Sequence, residues 1–334
     1  MLPLIRLHLL SITMLTVLLC IVWFLFVQFF FGKKDIFSSL PSSFLQMNTI
    51  FLSILIEAIP FVLIGVVIAG FIQIFVREEH IKKWLPQNRF AAVLVSCIIG
   101  AFFPACECGI VPIVRRLVAK GVPIYAGVGF LLTGPLINPI VIFSTYIAFG
   151  QDIKVAGLRM AAGFLAALLI SFLISLLFKQ NQLKERAVDP VPKADLLKTT
   201  VTARMWSMLT HSIDEFFDMG KYLVIGAFLA AFVQTYVAAQ SLLQMGESWI
   251  SSTLVMMGLA YILSLCSEAD AFIGASFRHL FPSSSILAFL IYGPMIDLKN
   301  TLMLLSVFRL TFVISLIFFI TAVVFLCTGF LSFL

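Results

Sequence analysis

An all-α polytopic membrane protein, built from two homologous halves, is the fold class this sequence predicts. Three observations carry it. Hydrophobic residues make up 61% of the 334 and charged residues only 11%, against about a quarter charged in a soluble domain, and the mean hydropathy is +1.11. Apolar runs repeatedly reach the ~20 residues needed to cross about 30 Å of hydrocarbon. Finally, EAIPFVLIGVVIAGFIQIFV (57–76) aligns without gaps to DMGKYLVIGAFLAAFVQTYV (218–237), with Gly65 opposite Gly226 and Gln73 opposite Gln234. GPLIN (134–138) then answers GPMID (293–297) in the same order, with Cys106 opposite Cys266 between them. Chance similarity between two apolar helices explains the first match but not the series.

In chain order, residues 1–48 are expected to hold an extra N-terminal transmembrane helix and a linker. The run 8–31 reads as a retained span, because Cys20 lacks the small residues of a lipoprotein cleavage site before it and the run continues unbroken to Phe31. The first transmembrane repeat is expected over 49–178, with apolar segments at 49–76, 90–106, 122–149 and 155–178. The polar, proline-containing stretch after it reads as a cytoplasmic linker, 179–211. The second repeat, 212–334, carries segments at 217–239, 249–266, 284–306 and 310–332.

The net charge of +6 sits in short loops, where Lys and Arg set orientation. It gives no reason to expect nucleic acid. If 90–120 and 249–281 each enter and leave on one side, most loop Lys and Arg fall inside, as the positive-inside rule requires. That arrangement has seven full spans and two re-entrant hairpins, and it makes the halves inverted repeats, a recurring transporter design. Nine ordinary spans are the alternative.

Polar residues inside such a chain mark its chemistry, because a charge in hydrocarbon costs several kcal/mol and is usually turned toward a cavity. The first hairpin tip carries Cys106, Glu107 and Cys108, and the second carries Cys266, Glu268 and Asp270. Helix breaks are expected at Gly134, Pro135 and Pro139, beside Asn138, and at Gly293 and Pro294, beside Asp297. Paired breaks in two halves point to a central binding site. Glu57 and Asp218 are matched carboxylates early in long apolar runs. Either could carry a coupling proton, or Asp218 could pair with Lys221 on the same helix face.

Cys106 and Cys108 are also candidate metal ligands, since thiolates select soft ions, with Cys266 as a third sulfur if the tips meet. The four histidines, 8, 80, 211 and 279, form no ligand pair and read as interfacial. Arg115, Arg116 and Lys120 read as positive-inside anchors, with an electropositive mouth for anions as a second role. No P-loop, G-x-S-x-G or H-E-x-x-H motif occurs, so ATP hydrolysis by the usual route is not expected. No cofactor is expected either.

CECGIVPIVRRLVAKGVPIYAGVGFLLTGPLINP (106–139), with SEADAFIGASF and AFLIYGPMIDLKN after it, resembles the signature of a bacterial predicted-permease family. That family includes ArsP-type organoarsenical efflux permeases and proteins proposed to export copper or zinc. The resemblance covers roughly 50–320. It implies a multi-pass permease of the bacterial cytoplasmic (plasma) membrane, with a small solute or ion as partner and, in some relatives, a second permease subunit. The organoarsenical role of cysteines in that family would map onto Cys106 and Cys108.

The expected function is therefore efflux of a small solute, such as a metalloid or soft metal species, by a secondary transporter rather than an enzyme. The alternatives are a membrane thiol-redox enzyme cycling Cys106 and Cys108, and a subunit of a multi-component permease complex.

Overall fold

The structure is a computed structural model that describes residues 42–76, 85–86, 88–103, 106–178, 180–184, 201–236 and 248–332. The expected N-terminal span 8–31 and most of the linker, with Cys20, His8 and His80, lie outside the described residues. The chain divides into two compact units, Met1–Asn48 and Thr49–Leu334. Residues 42–48 of the first are helical. The second unit holds all the architecture and chemistry below.

Twelve helices are described. The first six are α1 Ser42–Phe75, α2 Arg89–Ala101, α3 Glu107–Ala119, α4 Ile124–Thr133, α5 Pro139–Ala148 and α6 Ile153–Leu177. The second six are α7 Val201–Tyr236, α8 Trp249–Leu263, α9 Ser267–Ser276, α10 Ser283–Met295, α11 Leu298–Val307 and α12 Leu310–Ser332. There is no strand among the described residues, only an isolated bridge between Leu183 and Phe308. Helices are what an apolar chain must form in lipid, where each backbone polar group has to be satisfied within its own segment.

Five stretches are long and apolar enough to cross a membrane: Ser42–Phe75, Ile153–Leu177, Met205–Tyr236, Ser283–Val307 and Leu310–Leu331. The chain is a multi-pass membrane protein. By contrast α2 and α3 have 13 residues each, about 20 Å at 1.5 Å per residue, and neither spans the hydrocarbon alone. Helices α8 and α9, with 15 and 10 residues, form the same kind of short pair.

The six helices of each half follow one another in the same order, long, short, short, short, short, long, and the packing repeats with them. Helix α2 lies on α4 as α8 lies on α10, and α4 lies on α6 as α10 lies on α12. The two halves meet through α6 against α12 and through two exchanged contacts, α3 against α11 and α9 against α5. Small residues make the α6 contact possible: Ala156, Ala162, Gly163, Ala166 and Ala167 are buried along one side, as expected where helices associate in lipid. Helix α10 is buried from Ser285 to Met295 on every side, the mark of a helix enclosed by others.

Residues 201–211, assigned to the linker, form the first turns of α7, because VTARMWSMLTH contains neither Pro nor Gly and nothing in it stops the helix. Residue 49 lies inside a helix that runs from Ser42.

Candidate functional site

Each short helix pair meets at a cysteine. Cys106 is extended (φ −75°, ψ 167°) as N-cap of α3, and Cys266 is extended (φ −74°, ψ 156°) as N-cap of α9. Neither thiol caps its helix, so both are free for other work. Both face a cavity of about 250 Å³, lined also by Glu57, Phe61, Glu107, Cys108, Gln234, Ser264 and Lys299. Cys106 and Cys108 lie within electrostatic reach of each other, as do Cys266 and Glu57. All three cysteines are free thiols.

Lys299 organises the wall of this cavity. Its Nζ lies 2.9 Å from Glu107 Oε1 and 3.0 Å from Asp297 Oδ2, and it donates to the Ser264 carbonyl at 2.7 Å. The contact with Asp297 Oδ2 is an ion pair without hydrogen-bond geometry, since that oxygen has no hydrogen-bond partner. Two carboxylates against one ammonium leave this wall one negative charge in excess. Asp297 also caps α11, its Oδ1 accepting from the Asn300 N–H at 2.6 Å. Ser264 ends α8 in the left-handed region (φ 46°, ψ 44°), which is costly for a residue with a Cβ. Its hydroxyl accepts from the Leu298 N–H at 3.2 Å, so the strained residue ties the second tip to the start of α11. Gln234 completes the tie by donating to the Leu263 carbonyl at 2.7 Å.

The matched glycines Gly65 and Gly226 hold this wall in place from two sides. A Cβ on Gly65 would collide with the Gly109 carbonyl, and one on Gly109 would stand 2.7 Å from the Phe61 carbonyl oxygen. Helix α3, which carries Glu107, therefore rests directly on α1. A Cβ on Gly226 would stand 2.8 Å from Lys299 Cα, so α11, which carries Lys299, rests directly on α7. One repeated position thus seats both halves of the Glu107–Lys299 pair.

The other expected site residues lie elsewhere. Asn138 is buried and spends its side chain capping α5, accepting from the Ile140 N–H at 3.0 Å. Asp270 is fully buried off the cavity, and Gly293 makes room for it, since a Cβ there would stand 2.6 Å from Asp270 Oδ2. Glu268 is half-buried on the same helix. Asp218 is exposed and pairs with Lys221 at 2.8 Å, whereas Glu57 lines the cavity. Gly134 and Pro135 lie in the break between α4 and α5, and Pro139 opens α5. Gly293 and Pro294 do not form the second break: α10 continues through them to Met295, and the interruption falls at Ile296 and Asp297. The helical hydrogen bonding resumes past Pro294, where the Ile296 N–H reaches the Tyr292 carbonyl at 3.0 Å.

The electropositive mouth read as a second role for Arg115 and Arg116 is not formed. Both are buried, Arg115 Nη1 at 3.3 Å from Glu215 Oε1 and Arg116 Nη2 at 2.8 Å from Oε2. They form an internal lock between α3 and α7. Glu215 was not singled out in the sequence, and neither was Arg159. Arg159 is buried on α6, where it donates to Thr145 Oγ1 at 2.6 Å and to the Ser267 carbonyl at 3.1 Å. Its signal was present, a lone arginine inside an apolar run, but no partner lies near it in sequence.

Among the described residues no three Cys, His, Asp or Glu side chains stand together as a metal-holding group. The three thiols share the cavity without a closed ligand set.

Comparison with known proteins agrees with this architecture. The ArsP_1 family, described as "Predicted permease", matches residues 43–333. The UPF0718 protein YcgR of Bacillus subtilis is 53% identical over 283 residues, 85% of this chain and 96% of that protein. A Streptococcus mutans protein named "Putative two-component membrane permease complex subunit" is 42% identical over 282 residues, 84% of this chain and 93% of that protein. The UPF0718 protein MJ0584 of Methanocaldococcus jannaschii is 22% identical over 76% of this chain and 73% of its own length. No solved structure matches the chain. With its short helix pairs, its broken helices and a family match over nearly all its described length, this chain belongs to the ArsP_1 family of predicted permeases.

Proposed function

We propose that the chain exports a small thiophilic solute, a trivalent metalloid or soft metal species, across the bacterial plasma membrane. The observation that carries this reading is the cavity of about 250 Å³ in which Cys106, Cys108 and Cys266 stand as free thiols beside Glu57 and Glu107. Sulfur ligands select soft species. The cavity is smaller than the roughly 300–1,000 Å³ that holds a drug-sized ligand, so the cargo has few heavy atoms. Acidic groups on its wall favour a neutral or cationic form over an anion.

In this reading α2–α3 and α8–α9 are re-entrant hairpins whose tips carry the thiols, and the halves are inverted repeats. Access alternates by rocking one repeat against the other around the fixed site. Glu57 is the carboxylate at the cavity nearest to Cys266. Permease family membership points to a transporter rather than an enzyme. The name of the Streptococcus mutans relative favours a second reading of the same site, in which this chain is the pore-forming subunit of a two-protein complex.

Thiol accessibility tests the proposal. In a variant lacking Cys20, Cys97 and Cys327, the remaining cysteines are labelled with permeant and impermeant maleimides, with and without methylarsenite or zinc. Protection of all three thiols by a soft species is the expected result. Labelling indifferent to every soft species removes the thiophilic cargo. The Cys106→Ser, Cys108→Ser double variant then addresses the dithiol enzyme. A redox enzyme loses all activity, while a permease for a non-thiophilic solute keeps its transport.

A further inference from the structure

Two buried pairs of opposite charge link the halves, and they are not in the same state. Between α3 and α11, the ion pair of Glu107 and Lys299 is closed at 2.9 Å. Between α9 and α6, the opposite charges are Asp270 and Arg159, and they are not bonded. Asp270 is 0% exposed, and neither of its carboxyl oxygens has a hydrogen-bond partner. Arg159 Nε, equally buried, has none either. The two lie within electrostatic reach of one another.

A buried carboxylate without hydrogen bonds is among the costliest groups a protein can hold, whereas the neutral acid is tolerated. Arg159 cannot relieve the problem by losing its own proton, because a guanidinium stays charged. It is held in place by two of its donors, on Thr145 and on the Ser267 carbonyl at the start of α9 itself. Of the three guanidinium nitrogens, Nε is the one with no partner, and its N–H is available to a carboxylate.

We propose that Asp270 is the proton-binding carboxylate that couples transport to the proton gradient, with Arg159 Nε–H as its partner once the proton has left. The inference rests on the transport reading above and adds the coupling site. In one state a proton from water on one side is held on a carboxyl oxygen of Asp270, and the neutral acid stands apart from the guanidinium. In the other state that proton has returned to water on the opposite side, and the carboxylate closes on Arg159 Nε–H. No other bond forms or breaks. Closure pulls α9, whose first residues flank Cys266, toward α6, which links the proton to the thiol cavity.

The charged groups facing Asp270 are Arg159 from α6, Glu107 from α3 and Asp297 and Lys299 from α11, with Glu268 on α9 itself. Helices α5 and α10, packed on α9, carry no charged residue. Glu107 also lines the cavity, its Oε2 is unpartnered, and it lies within electrostatic reach of Asp270. This site replaces Asp218, which is exposed and already paired with Lys221.

The test uses purified full-length wild type, Asp270→Asn and Arg159→Gln in phosphatidylethanolamine–phosphatidylglycerol vesicles. Infrared difference spectra over a pH series read the carboxylic-acid band without any cargo. Wild type is expected to lose a band on raising pH that Asp270→Asn lacks throughout. Arg159→Gln keeps that band at pH values where wild type has lost it. Methylarsenite flux is read in parallel. An imposed pH gradient drives uphill accumulation in wild type and none in Asp270→Asn.

An unaltered band in Asp270→Asn, or accumulation driven equally well in that variant, overturns the proposal, as does a wild type that answers to a sodium gradient instead. If wild type moves no methylarsenite, the cargo reading falls. The spectra still decide for or against Asp270, with Arg159→Gln as the check should Asp270→Asn fail to fold.

Discussion

Replacing Lys299 by methionine keeps an unbranched side chain, one atom shorter, and removes its charge. The consequence follows from its three partners. Glu107 loses a contact at 2.9 Å, Asp297 one at 3.0 Å and the Ser264 carbonyl one at 2.7 Å, all inside the protein. Removing one member of a buried ion pair costs about 3–5 kcal/mol, chiefly because the other charge is left unpaired. Here two carboxylates are left, so the upper end of that range is expected, between about three and four powers of ten in the unfolding equilibrium at about 1.4 kcal/mol per tenfold.

Reversible unfolding in mixed micelles measures the loss, and a double-mutant cycle with Glu107→Gln isolates the pair. Neutralising Glu107 in the Lys299→Met background should recover part of the stability, with a coupling of roughly 0.5–3 kcal/mol. A Lys299→Met protein within about 1 kcal/mol of wild type, a scale set by the range for weak ion pairs, would refute the reasoning. Strict additivity of the two substitutions would do the same.

Three further outcomes follow from the same geometry. Gly226→Val should destabilise by about 1–3 kcal/mol, the usual cost of overpacking, because its Cβ meets the Lys299 backbone at 2.8 Å, whereas Gly220→Ala on the same helix, with nothing within 4 Å, should be neutral or slightly stabilising. Paired thermal-aggregation curves of the detergent-solubilised variants compare them. Glu215→Gln weakens the lock on Arg115 and Arg116 and should cost roughly 3 kcal/mol; limited proteolysis of α7 should quicken, and an unchanged cleavage rate would remove the lock from the stability argument. Both Ser264→Gly and Ser264→Val lose the hydroxyl that accepts from the Leu298 N–H, but the glycine variant relieves about 1–2 kcal/mol of left-handed strain that valine keeps, so the glycine variant should be the more stable of the two. Equal expression and melting of the two Ser264 variants would contradict that reading.

Particular residues show how far the sequence carries. Cys106, Glu107 and Cys108 stood out because polar groups in an apolar run are expensive, and the structure places all three on one cavity with Cys266. Lys299 stood in a quoted motif, yet it read as one polar residue among three, because its main partner, Glu107, belongs to the other half of the chain. The arginines after Cys108 read as surface anchors because positive charge beside an apolar segment usually is one. Their partner, Glu215, lies 99 residues from Arg116, too far for any local pattern to join them. Gly293 and Pro294 read as the break itself. The structure uses Gly293 to admit the Asp270 carboxylate and leaves the interruption to Ile296 and Asp297.

What the sequence by itself determined is the solvent, the helical fold class, the family and the order of segments. These follow from composition, run length and repeated motifs, and each is a property of neighbours along one chain. Only the tertiary structure decided which charge answers which. Burial makes every unpaired group costly, so a partner must exist for Lys299, Arg116 and Arg159. Who that partner is depends on which helices of opposite halves come together, and such a meeting leaves no trace in the spacing of either segment.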